Sequence, residues 1–139
     1  MKKFFTLQEA NNLIPIVKPI LRKLRMVQQE IALIETVDIS SNNQQKVYAI
    51  NLKINKEYHK LLYLFYKYSL KLEDLGCLVK DPSFEIIDFY STSQGKEIFL
   101  CFSIREENIK FWHEVGEGFD KRKSINILEE GSKQNESKR

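Results

Sequence analysis

The sequence is poor in cysteine, histidine, proline and glycine, with two, two, three and five of them in 139 residues. Cys77 and Cys101 stand far apart, so the chain has no CxxC pair and no disulfide framework. This scarcity excludes the disulfide-rich secreted domains, and two histidines do not suffice for a common structural zinc motif. We therefore expect a cytoplasmic protein with free thiols.

The sequence also lacks a long apolar run. Its first five residues, MKKFF, resemble the start of a signal peptide, but Gln8, Glu9, Asn11 and Asn12 interrupt any apolar segment. We predict no association with a membrane. The net charge of +3 is too small and too dispersed for a dedicated nucleic-acid binder, so nucleic acid is not an expected partner.

The composition is that of one soluble globular domain, with 42% hydrophobic and 29% charged residues. We place a single α+β domain at residues 1–130. The last segment, 131–139, contains no apolar residue and is predicted to be a disordered polar tail.

Two long helices are predicted in the first half of the chain. Thr6 and Glu9 form a capping box, and apolar residues then recur every three or four positions from Ala10 to Ile34. Pro15 and Pro19 lie inside this run, so we expect a kink there, or a short helix followed by a longer one. A polar loop follows, and a second run with the same spacing extends from Val47 to Leu75. The short loop predicts an antiparallel helical hairpin.

The apolar period changes to two after the second helix. The segments EIIDFYS, EIFLCFSI and IKFWHEV alternate and are rich in β-branched and aromatic residues, which is typical of strands. Short polar segments separate them, so we predict an antiparallel meander. The predicted fold is α+β, a long antiparallel helical hairpin packed on a three-stranded antiparallel β-meander.

His113 is the histidine with the strongest chemical interest. If Ile104 lies opposite Ile109, then His113 lies opposite Leu100 and faces the helices, while Glu114 points away. One interpretation is a buried histidine with a structural hydrogen-bond partner. The other is a divalent metal site formed by His113, Glu9 and Asp88.

Two surface features indicate binding partners. Tyr63 and Tyr66 lie off the apolar stripe of the second helix, so we predict that they form a homodimer or protein interface, the alternative being packing against the sheet. Lys121, Arg122 and Lys123 form a basic turn that is able to contact phosphate or RNA, although a solvated turn explains it equally.

Several segments resemble one known family. FTLQEANNLIPIVKPIL, LGCLVKDP, IIDF, GKEIFLCF and IKFWHEVGEGFDKRKSI are similar, in order and spacing, to motifs of the prokaryotic family called domain of unknown function 2203. The similarity extends from Phe5 to Ile125, with departures at Tyr90, Phe102 and Asp120. It implies a cytoplasmic prokaryotic protein and supplies no activity, substrate or cofactor. The polar residues that fit the family pattern are Glu9, Asn12, Asp81, Asp88, Cys101, His113, Glu114 and Arg122.

The sequence leaves three functions open and identifies no catalytic residue. The first is a small cytoplasmic interaction module that forms a homodimer. The second is a divalent-metal-binding or hydrolytic protein centred on His113. The third is RNA or phosphate binding through residues 121–123.

Overall fold

A computed structural model describes residues 2–38 and 41–126. The predicted tail at 131–139 lies outside these residues. These described residues include two long helices and one antiparallel sheet, which confirms the α+β prediction. No helix in the described part of the chain is both long and apolar enough to cross a membrane.

Helix α1 comprises Leu7–Glu35 and helix α2 comprises Gln44–Asp74. Helix α1 continues through Pro15 and Pro19, so the run does not divide into two helices. The capping box predicted at Thr6 and Glu9 is present, with reciprocal hydrogen bonds of 3.0 and 3.1 Å. The N-cap of α2 is Asn43, whose side chain accepts from two backbone N–H groups. The two helices pack on each other, but only Leu61 and Leu72 of α2 are buried, so most of this helix faces solvent.

Within the described ranges the sheet has five strands, not the three that the sequence predicts. Their order is β1 (Cys77–Val79), β2 (Ile86–Ser93), β3 (Lys96–Ser103), β4 (Phe111–Glu114) and β5 (Lys123–Ser124). The three predicted strands correspond to β2, β3 and β4. Strands β1 and β5 have three and two residues, too few to show an alternating pattern, and they exist because they pair with the edges of the meander.

The pairing of β3 with β4 differs by one residue from the predicted register. His113 lies opposite Phe99 rather than Leu100. The predicted pair of Ile104 and Ile109 does not form, because the Ile104 N–H donates to Glu85 O and the Ile109 N–H donates to Asn11 Oδ1, each at 2.8 Å. These bonds give the N–H groups of Ile104 and Ile109 partners outside β3 and β4. Pairing between the two strands therefore begins only at Cys101 and Phe111.

A shift of one residue exchanges the two faces of a strand. The prediction that His113 faces the helices and Glu114 points away is therefore wrong. The core between sheet and helices contains Ile87, Phe89, Ile98, Leu100 and Phe102. The outer face of the sheet carries Asp88, Tyr90, Phe99, Cys101 and His113. These residues share one face because Asp88 lies opposite Cys101, and Phe99 lies opposite both Tyr90 and His113.

The core accounts for our first prediction. Leu24 on α1 is 0% exposed and Leu61 on α2 is 6% exposed, so Leu24→Ala or Leu61→Ala should lower the free energy of unfolding by about 2–5 kcal/mol. Leu33→Ala is the matched control, because this leucine of α1 is 68% exposed. Urea denaturation measures all three. Losses below about 0.5 kcal/mol at both buried sites would show that the helices do not pack in this way.

Candidate metal site

Three potential metal ligands converge at the centre of the outer sheet face. Asp88 on β2 lies opposite Cys101 on β3, and His113 lies two positions away on β4. Their side chains are 0%, 0% and 3% exposed. One donor atom from each lies within 4.8 Å of the other two. Three adjacent strands thus bring together a carboxylate, a thiol and an imidazole that are far apart in the sequence.

Hydrogen bonds fix the orientation of the His113 ring. Nδ1 lies 3.0 Å from Glu114 O and Nε2 lies 2.9 Å from Asp88 Oδ2. A carbonyl oxygen can only accept, so Nδ1 carries a hydrogen and donates it. Nε2 is then the nitrogen that either shares a proton with Asp88 or offers its lone pair to an ion. Histidine metal ligands commonly have this arrangement, in which the second ring nitrogen donates to a carbonyl.

The turn after β4 holds this carbonyl in place. Glu114 O also accepts from the Glu117 N–H at 3.0 Å. Gly116 has a φ of +94°, a conformation that residues with a side chain rarely adopt. The glycine therefore closes the turn that orients His113 and carries the chain back over the outer face of the sheet.

Asp88 is held in an unusual environment for a carboxylate. Burial raises the pKa of Asp88, and His113, Cys101 and the charge of Lys80 oppose this shift. Its Oδ1 atom is buried and has no hydrogen-bond partner among the described residues. An unsatisfied buried acceptor costs about 1–3 kcal/mol, more when charged. A cation or a hydrogen-bond donor next to Oδ1 would therefore stabilise this carboxylate.

Cys101 lacks the features of a nucleophile. Burial, followed by the neighbouring charge of Asp88, raises the pKa of its thiol. A nucleophilic cysteine needs a base, yet both nitrogens of His113 already face acceptor oxygens. The thiol is consequently neutral in the absence of an ion. A bound metal ion would deprotonate it, as it does any coordinating thiol.

The three side chains open into a cavity of about 240 Å³. Its other lining residues are Lys80, Asp81, Ile86, Glu117, Gly118 and Phe119. The Lys80 ammonium lies 4.5 Å from the centre of the Phe99 ring. Glu117 has a buried Oε2 atom that lacks a hydrogen-bond partner in the described ranges. The cavity thus combines a cation, Lys80, and two further carboxylates, Asp81 and Glu117, with the donor cluster.

The structure brings together only two of the three predicted metal ligands. Asp88 and His113 are in contact, but Glu9 binds the Thr6 N–H in the capping box of α1, on the helix side of the sheet. Cys101 takes the third place. The predicted register placed Cys101 and His113 on opposite faces of the sheet. One feature of the sequence nevertheless points to Asp88 and Cys101 as site residues. Asp88 and Cys101 each stand between two large apolar residues in a central strand.

The predicted basic turn has a different local role. Arg122 donates to Glu106 Oε1 at 2.8 Å and stacks on Phe111 and Phe119, with its guanidinium carbon 4.3 and 3.8 Å from the ring centres. Lys123 lies 3.6 Å from Glu114. Lys121 ends the short 3₁₀ helix Phe119–Lys121 and is exposed. Arg122 thus ties the segment over the cavity to the sheet.

The predicted interface tyrosines lie in solvent. Tyr63 is 65% exposed and Tyr66 is 62% exposed. The alternative interpretation, in which the sheet of the same chain covers these tyrosines, is therefore wrong.

Comparison with known protein families identifies the family of this chain. The model of the family described as uncharacterized conserved protein (DUF2203) matches residues 3–125. The chain belongs to this family. The resemblance found in the sequence is thereby confirmed, and the matched range includes Asp88, Cys101 and His113. Neither a curated protein nor a solved structure matches the chain.

The contacts of Arg122 lead to a second prediction. Arg122 and Glu106 have side chains only 15% and 14% exposed, so Arg122→Ala leaves a largely buried carboxylate without its cation. We expect a loss of about 1–3 kcal/mol in the free energy of unfolding. Lys123→Ala is the control, because Lys123 and Glu114 are 40% and 50% exposed and should contribute less than about 1 kcal/mol. Equal effects of the two changes in urea denaturation would contradict the assigned role.

Proposed function

We propose that this protein binds one divalent transition metal ion of the zinc class through Asp88, Cys101 and His113. The observation that carries the proposal is the buried, unpartnered Oδ1 atom of Asp88 beside a thiol and an imidazole. Zinc is commonly held by cysteine sulfur, histidine nitrogen and carboxylate oxygen. Thiolate ligands disfavour magnesium and calcium, which select oxygen.

A bound ion would resolve the electrostatic problem of the cluster. A dication next to Oδ1 compensates the buried charge of Asp88 and stabilises Cys101 as a thiolate. The donor atoms would have to move closer together to coordinate one ion. Bond lengths of about 2.0 Å to N and O and 2.3 Å to S place tetrahedral ligands about 3.3–3.6 Å apart, and the present separations do not exceed 4.8 Å.

The proposed site has the character of a catalytic rather than a structural centre. Structural zinc sites are closed by four protein ligands, whereas catalytic sites have three and keep one open position. Three donors meet here, and they border a cavity that is large enough for water and a small substrate. Zinc lowers the pKa of bound water to about 7, which supports hydrolytic chemistry. Glu117 and Lys80 are the charged cavity residues suited to act on such a water or substrate.

A thiolate ligand also constrains the compartment. Cys77 and Cys101 are both free and buried. Free metal-binding thiols persist under reducing conditions, so a cytoplasmic location suits this function.

A homodimer is a second proposal with independent support. The exposed rings of Tyr63 and Tyr66 are the observation that favours it, because large apolar side chains on a surface often mark a protein interface. This proposal concerns α2 and does not depend on the metal site.

Metal loading provides our third prediction. Protein purified without a histidine tag should bind about one Zn²⁺ or Co²⁺ per chain, and the cobalt form should show a thiolate charge-transfer band. Cys101→Ser should abolish that band, whereas Cys77→Ser should retain it, because Cys77 lies in the core on the helix side. Likewise, His113→Ala should lose the metal and His59→Ala should keep it.

Two further changes separate the alternatives. Asp88→Asn keeps the size of the side chain and should still remove the metal, with circular dichroism confirming that the variant is folded. Glu117→Gln should retain the metal if the site has three protein ligands, and its loss would indicate a closed site of four. The proposal fails if folded wild-type protein binds neither Zn²⁺ nor Co²⁺ at micromolar concentration. It also fails if Cys101→Ser and Cys77→Ser have the same cobalt spectrum.

A further inference from the structure

All six lysines of helix α2 lie along one side of the helix. In a helix with 3.6 residues per turn, successive residues are about 100° apart around the axis. The steps between the lysines are seven, three, four, seven and four residues, so all six fall within an arc of about 80°. We call this set the lysine row, and its members are Lys46, Lys53, Lys56, Lys60, Lys67 and Lys71.

The lysine row faces solvent without acidic partners in the described ranges. All six side chains are exposed, and no carboxylate of the described residues lies within 4.0 Å of an ammonium group in the row. The acidic residues of α2 that border the row are Glu57 and Asp74. Like charges three or four residues apart destabilise a helix, and the row contains three such pairs. An anionic partner would remove this repulsion.

The shape of the lysine row fits a linear polyanion. The 25 steps from Lys46 to Lys71 extend over about 38 Å of helix at 1.5 Å per residue. Lysines that follow one side of a helix are the electrostatic footprint of nucleic-acid binding. The expectation against nucleic acid rested on the net charge of the whole chain, which is only +3 because acidic residues elsewhere offset the row. That argument does not apply to the surface of α2 by itself.

Exposed tyrosines adjoin the lysine row on the side away from the core. Tyr63 is 65% exposed and stands three residues from Lys60 and four from Lys67. Tyr66 lies further around the helix and is 62% exposed. Proteins that bind single strands combine a positive track for the backbone with aromatic rings on which the bases stack. A duplex keeps its bases paired and has none to offer these rings.

We infer that the lysine row binds the phosphate backbone of a single-stranded nucleic acid whose bases stack on Tyr63 and Tyr66. An anionic membrane fits this surface less well. Asn55 and His59 lie on the same face as the tyrosines and would have to enter the apolar layer. The dimer proposed above would use the same two rings, so a strand and a second protomer would compete for them. The lysine row plays no part in that dimer and therefore distinguishes the two partners.

The salt dependence of binding tests the lysine row. The probe is a fluorescent oligouridylate of about twelve nucleotides, within the site sizes of single-strand binders, and fluorescence anisotropy measures its affinity for the full-length protein. For single strands, the logarithm of the binding constant falls with the logarithm of the salt concentration. The slope is about −0.7 per phosphate contact, so six contacts give about −4.

Two triple variants of equal charge separate the row from net charge. The combined changes Lys53→Gln, Lys60→Gln and Lys67→Gln should weaken binding about tenfold or more at 0.1 M salt and bring the slope to about −2. The control removes three exposed lysines outside α2, one of them in the basic turn, and should keep the slope of the wild type. Its changes are Lys96→Gln, Lys110→Gln and Lys121→Gln. Circular dichroism should show that both variants are folded.

Tyr63→Leu tests the stacking of bases. The change removes the ring but keeps an apolar side chain, so affinity should fall about fivefold or more. The salt slope should not change, because a ring releases no counterions. Leu70→Ala is the control, since this side chain is 58% exposed on the same face and has no ring. It should bind as the wild type does.

Each of the following results overturns the inference. The wild type does not bind the oligonucleotide at micromolar concentration in about 0.05 M salt, or the control triple variant loses as much affinity as the row variant. Tyr63→Leu binds as tightly as the wild type, or a duplex of the same length binds as tightly as the single strand. Vesicles of phosphatidylcholine and phosphatidylserine, or polyglutamate of equal charge, compete as well as unlabelled oligouridylate.

Discussion

The hydrogen bond between His113 Nε2 and Asp88 Oδ2 joins β4 to β2 across the strand between them. It requires the register in which Phe99 lies opposite His113, and it requires the turn at Gly116 that presents Glu114 O to the other ring nitrogen. The same turn begins the segment that lines the cavity and that Arg122 attaches to the sheet. A buried carboxylate with one oxygen unpartnered is expensive to maintain, which is why we regard the cluster as a binding site rather than a structural element.

The two proposed surfaces belong to different layers of the fold. The cavity lies on the outer face of the sheet, the helices cover the inner face, and Tyr63 and Tyr66 of α2 lie in solvent. A dimer formed through α2 would therefore leave the cavity open. The two layers also differ in their side chains: polar donors converge in one, and exposed aromatic rings follow one helix in the other.

The helices were predictable because their signals are local. The capping box at Thr6 and the three-and-four spacing identify α1 from sequence alone. The site was only partly predictable, since it depends on pairing between strands. A one-residue error around residues 104–110 moved His113 to the wrong face and separated it from Cys101. The bond from Ile109 N–H to the Asn11 side chain sets this register, and such a contact between distant segments leaves no periodic trace.

Anomalous diffraction from crystals of the zinc-loaded protein tests the central claim most directly. Data on either side of the zinc absorption edge should give one strong peak per chain between Asp88, Cys101 and His113, with Oδ1 of Asp88 among the ligands. The account is contradicted if zinc is present in excess, no peak appears at this position, and the hydrogen bond between His113 and Asp88 remains intact. The cluster would then be a structural polar pair.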